Sequence, residues 1–119
     1  MARHTQYLSR CLVTLFSTGW LVGLPLPASA AEMDEQLTLG KQLFLIGTTP
    51  TCAVCHTLSD AKAEGPVGPD FDEIKPSEEQ VVKAVRGGIG LMPSYKDKLS
   101  DQQIAAIARY VSKASGGAP

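Results

Sequence analysis

Three residues of the kinds that bind metals or form covalent bonds stand together in Thr51-Cys52-Ala53-Val54-Cys55-His56-Thr57. Two thiols separated by two residues reach both vinyl groups on one edge of a porphyrin and form thioethers, and the adjacent imidazole is carried beneath the iron. Cys-x-x-Cys-His is the spacing of covalent haem attachment, with one haem c per chain here. Other readings of the pair exist. A redox-active dithiol sits at the end of a strand in a βαβ pattern, but Ile46-Gly47-Thr48-Thr49-Pro50 precedes Cys52 with no alternating β-branched run. A structural zinc asks for four Cys or His ligands. A simple disulfide between Cys52 and Cys55 leaves His56 without a role.

An iron held by one imidazole has a second axial face. The choices for it are Met33, Met92, a Lys, a Tyr, or nothing. Met33 precedes the first expected helix and would have to fold far across the domain. Met92 lies in Ile89-Gly90-Leu91-Met92-Pro93-Ser94-Tyr95, where Pro93 disfavours helical geometry at the residue before it. An extended Met between glycine and proline turns can present its sulfur sideways to a flat ring, whereas a Met that fills a core is usually within a helix or strand. His56 and Met92 are therefore the expected metal ligands. Such a pair favours ferrous iron and fills both axial positions, which suits electron transfer rather than substrate binding.

Three helices are expected to position these residues. Asp34 to Phe44 places Leu37, Gly40, Lys41 and Phe44 on one face. Gly40 costs a helix interior about 1 kcal/mol against Ala, and its place is explained by close approach of another helix, with Ala105 and Ala108 of the C-terminal helix small enough to allow it. Ser77 to Arg86 carries a Ser77/Gln80 capping box and a Val81, Val82, Val85 stripe. Asp101 to Val111 carries a Ser100/Gln103 box and an apolar face of Ile104, Ile107, Ala108 and Val111. Between Thr57 and Pro76 there is little periodicity, and a haem edge is expected to organise it, since long structureless stretches are uncommon in compact domains. Ala114 to Pro119 is expected to fray.

The chain has 119 residues and a formal net charge of −1. Residues 1–30 read as a secretory signal: Arg3, His4 and Arg10 charge the start, Leu12 to Leu24 is mostly apolar, and Ala28-Ser29-Ala30 is a small-x-small cleavage pattern. The apolar run is short and interrupted for a permanent membrane span. Removal of this segment takes away Cys11, His4 and Trp20, leaving residues 31–119 as one domain with 9 Lys and Arg against 12 Asp and Glu. That balance argues against nucleic acid, which selects a basic stripe. So short a chain buries a modest fraction of its surface and needs a staple; a covalently held macrocycle supplies one.

The order of a helix with Gly40 and Phe44, then Cys52-x-x-Cys55-His56, Gly68-Pro69, Met92-Pro93, and a helix with Ile107 and Tyr110 resembles a class I cytochrome c. The resemblance spans the whole of residues 31–119. It implies an all-α fold of three main helices, the first and last crossing where Gly40 and Phe44 meet Ile107 and Tyr110, with long loops wrapping the haem. It implies a cofactor-binding set of Cys52, Cys55, His56, Pro69 and Met92, in which the Pro69 carbonyl accepts the proton on the far nitrogen of His56. With no Trp in residues 31–119, Tyr95 or main chain is left to hydrogen-bond the haem propionates.

Within that class, Leu39-Gly40-Lys41, Cys52-Ala53-Val54-Cys55-His56-Thr57-Leu58, Val67-Gly68-Pro69 and Gly88-Ile89-Gly90-Leu91-Met92-Pro93 are most similar to the monohaem subunits of bacterial sulfite dehydrogenases. The likeness implies a periplasmic electron carrier that is no enzyme on its own. Its donor would be a molybdenum-containing sulfite dehydrogenase subunit, and its acceptor a terminal oxidase or another cytochrome. A haem protein responsive to gas or peroxide, with a displaceable Met92, is the competing expectation.

Overall fold

A computed structural model describes residues 30–119; all but the last residue of the expected signal segment lies outside them. Three helices dominate: α1 (Ala30–Ile46), α4 (Glu78–Gly87) and α5 (Asp101–Ser115). Between α1 and α4 come a single turn α2 (Cys52–Cys55), strands β1 (Thr57–Leu58) and β2 (Ala63–Glu64) around a 3-10 turn (Ser59–Ala61), and a second single turn α3 (Phe71–Ile74). The strands are antiparallel, with Thr57 opposite Glu64 and Leu58 opposite Ala63. The fold is mostly helical with three main helices and long connections, as expected, with one minimal hairpin added.

Both expected capping boxes form. Ser77 Oγ accepts from the Gln80 N–H at 3.3 Å while Gln80 Oε1 accepts from the Ser77 N–H at 2.8 Å. Ser100 and Gln103 make the same exchange at 3.3 and 2.9 Å. Each box satisfies donors that a helix start otherwise leaves without partners. These ends fall where the pattern places them, whereas α1 and α5 run four residues further, to Ala30 and to Ser115.

The largest contact between elements joins α1 to α5. Phe44, Ile104, Ile107 and Val111 are almost wholly buried there, and the Phe44 ring meets Tyr110 edge-on with centroids 6.0 Å apart. At Gly40 a side chain would run into the Ala106 carbonyl and stand 2.6 Å from Tyr110 Cβ, so the close approach inferred from the sequence is real. The partner is corrected, however: Ala106 faces Gly40, while Ala105 is exposed, because the helix turns its 106 and 110 positions inward together, one turn apart.

Within residues 57–76 the protein's own main chain supplies bonds: the Cys55 carbonyl accepts from Val67 and Gly68 N–H at 3.1 and 2.7 Å, and the His56 carbonyl from Gly65 N–H at 3.3 Å. One further expectation changes. The C-terminal tail is docked and does not fray. Gly116 adopts φ +79 and turns the chain back, so the Ala118 carbonyl accepts from Ser112 Oγ at 2.6 Å and from the Glu78 N–H at 3.2 Å. Among the described residues no helix is long and apolar enough to cross a membrane.

Candidate functional site

Cys52 and Cys55 stand at the two ends of α2, one turn apart, both as half-buried free thiols. Burial pushes the Cys52 thiol above its ordinary range, and a hydrogen bond with Thr48 opposes that only in part. The Cys52 carbonyl accepts the His56 N–H at 3.0 Å and closes the turn. The chain then leaves in extended geometry at His56, φ −111 and ψ 144, and the imidazole swings inward to 7% exposure.

Three groups fix that ring. His56 Nδ1 lies 3.0 Å from the Pro69 carbonyl oxygen. A carbonyl only accepts, so Nδ1 donates; in the neutral ring that tautomer leaves the lone pair on Nε2. Phe71 stacks on the imidazole with centroids 4.4 Å apart and planes 12° from parallel. Gly68 presses from another side: a Cβ there would stand 2.6 Å from Nδ1. The Cys55 carbonyl, by accepting from Val67 and Gly68, holds the segment that carries Pro69, so attachment turn and histidine support come from one short stretch of chain.

Met92 lies on the strap between α4 and α5. Its N–H donates to the Ile89 carbonyl at 2.9 Å and its carbonyl accepts from the Ile89 N–H at 3.1 Å. The turn needs left-handed glycines, Gly88 at φ +72 and Gly90 at φ +57; a Cβ on Gly88 would stand 2.7 Å from the Met92 carbonyl oxygen. Within 89–92 only Met92 turns inward, against the edge of the core. Ile89 and Leu91 point outward at 67% and 90% exposure. Met33, the other candidate, lies near the start of α1 with an exposed side chain.

Tyr95 does not leave its hydroxyl proton for a propionate; it donates to the Pro50 carbonyl at 2.8 Å. Burial and the neighbouring Cys52 raise its ionisation above the usual phenol range. Phe71 was not legible as a histidine support, its signal being one scarce aromatic two residues past Pro69. The contacts of Thr48, Pro50 and Lys98 had no sequence signal at all.

The donor set suits a haem. It offers two thiols on one turn, an imidazole oriented by Pro69, Phe71 and Gly68, and a soft thioether on a strap.

The comparisons with known proteins agree. The family described as "Cytochrome C oxidase, cbb3-type, subunit III" matches residues 35–111. Chloroplastic cytochrome c6 of Chlamydomonas reinhardtii is 34% identical over 97 residues, which span 72% of this chain and 58% of that protein. Cytochrome c-551 of Halorhodospira halochloris is 32% identical over 73 residues, 60% of this chain and 92% of that one. Among solved structures, the c-type cytochrome SorU from Sinorhizobium meliloti is 49% identical with a TM-score of 0.67, covering 71% of this chain and 97% of that chain. With relatives of this kind aligned across most of its described length, the chain belongs to the cytochrome c family, class I, and is a monohaem electron carrier with covalently attached haem c.

Proposed function

We propose that Cys52 and Cys55 hold the porphyrin through thioethers, that His56 Nε2 and Met92 Sδ are the axial ligands, and that the protein is a periplasmic carrier whose signal segment ends at Ala30. The observation that carries the ligand assignment is the 3.0 Å contact between His56 Nδ1 and the Pro69 carbonyl. It orients the ring through Nδ1 and increases the donor strength of Nε2. The bound haem supplies a one-electron ferrous/ferric couple. Met92, as a thioether, favours the ferrous side and so an acceptor of electrons. Phe71 covers one face of the imidazole by stacking on it.

The test is spectroscopic. Ferric protein made in a haem-attaching host is expected to show the weak near-infrared Met-to-iron band, and Met92→Ala to lose it. Persistence of the band in that variant overturns the ligand. Ready carbon monoxide binding by the reduced wild type at neutral pH would favour a gas-responsive protein.

A finer reading concerns the partner. The segments around Gly40, Cys52, Gly68 and Met92 resemble sulfite dehydrogenase cytochrome subunits, and 49% identity over 97% of a c-type cytochrome chain supports close kinship with that protein. A molybdenum-containing sulfite dehydrogenase subunit is accordingly the electron donor, with a terminal oxidase or another cytochrome as acceptor. Mature protein used as bait in periplasmic extract is expected to retain molybdenum and to be reduced on adding sulfite. Retention of neither sinks this partnership while leaving the carrier role intact.

A further inference from the structure

The strap bearing Met92 is tied at its far end to the loop that leads into the attachment turn. Tyr95 is 3% exposed, and its hydroxyl donates to the Pro50 carbonyl at 2.8 Å. Thr48 Oγ1 donates to the same oxygen at 2.8 Å. Three residues beyond Tyr95, Lys98 Nζ donates to the Thr49 carbonyl at 3.2 Å and stands 5.6 Å from the Tyr95 ring centroid. Two groups of the strap side thus close on the Thr49 and Pro50 carbonyls, the second of them also held by Thr48, just ahead of Cys52.

Other bonds hold the strap to α4: the Tyr95 N–H to the Val85 carbonyl at 2.9 Å and Ser94 Oγ to the Arg86 carbonyl at 2.6 Å. These fix its shape but travel with α4. Beside the packing of Tyr95 in the core, the bonds to 48–50 tie it to the attachment side. Around Met92 itself the turn is closed by its own two bonds with Ile89, while Ile89, Gly90 and Leu91 are all exposed and add no packing.

We infer that the Tyr95–Pro50 hydrogen bond, with Lys98–Thr49 beside it, is a latch that keeps Met92 seated, which makes Tyr95 a positioning residue for the axial ligand. This rests on the reading of Met92 as a ligand. Releasing Met92 requires the strap to part from residues 48–50, so removing one such bond makes that opening easier by roughly two- to tenfold.

The test mixes ferric holoprotein with imidazole and follows the rate at which the Met-to-iron band disappears. Tyr95→Phe keeps the buried ring and deletes only the hydroxyl. It is expected to show the band before mixing and to lose it roughly two- to tenfold faster than wild type, with Lys98→Met giving a smaller increase. Ser112→Ala removes a buried hydrogen bond far from the strap, the one to the Ala118 carbonyl, and is expected to exchange at the wild-type rate. An unchanged rate in Tyr95→Phe overturns the latch, as does equal acceleration by Ser112→Ala, which would mean exchange through general loosening. If Tyr95→Phe does not fold, Lys98→Met decides on the same criterion. Absence of the band in wild type overturns ligand and latch together; its presence with unchanged rates overturns the latch alone.

Discussion

At the contact between α1 and α5, apolar side chains bury one another: Phe44, Ile107, Ala108 and Val111 have almost no exposed surface. Around α2 and the strap the apolar residues Val54, Val67, Ile89 and Leu91 stand 57 to 90% exposed, and hydrogen bonds to main-chain carbonyls do the positioning. One region is a packed core that the protein completes with its own atoms. The other is a frame, shaped by hydrogen bonds to the carbonyls of Pro69, Cys55 and Pro50, whose apolar surface suits a flat ring. Packing density punishes any loss of volume in the first, whereas the second answers to geometry at a few polar atoms.

The sharpest way to break that contrast is Phe44→Ala. It empties a fully buried ring from the helix contact and is expected to cost about 3–5 kcal/mol in urea unfolding, while the visible spectrum of the folded fraction stays unchanged. A loss under about 1 kcal/mol would mean that the contact is not the stabilising core.

A smaller effect is expected at the rim of the same contact. Asp60 accepts from Lys41 Nζ at 2.9 Å and from the Tyr110 hydroxyl at 2.7 Å. The Lys41 bond, then the Tyr110 bond, hold its carboxyl below the usual carboxylate range. A carboxyl lowered on folding stabilises the native state above its unfolded value, near 3.9, and that contribution is lost as pH falls through the folded value. Because Lys41 and Asp60 are 42% and 48% exposed, Asp60→Asn is expected to cost less than about 1 kcal/mol at pH 7. The gap from wild type should close on acidification; a gap that widens below pH 4 contradicts the assignment.

The smallest effect is expected from Leu91→Ser on the strap, within about 0.5 kcal/mol by the same unfolding measurement, since little protein surface packs on that side chain. A cost matching that of Phe44→Ala would erase the distinction between the two regions.

Residue types and local spacing were enough for much of this molecule. The attachment turn, the two capping boxes, the glycine that marks a helix contact and the Met-Pro strap all depend on residues at most a few positions apart, where chain geometry alone dictates what can meet. Other features answer to pieces distant in the chain. Ala106 rather than Ala105 faces Gly40, the Ala118 carbonyl docks on α4, Phe71 stacks on His56, and Tyr95 reaches Pro50 across 45 positions. Such contacts follow from how helices rotate and loops close once the core has packed, and no local pattern records that rotation. The Cys-x-x-Cys-His turn was thus written in five adjacent residues, while the orientation of its histidine and the seating of the Met92 strap were decided only when the chain folded.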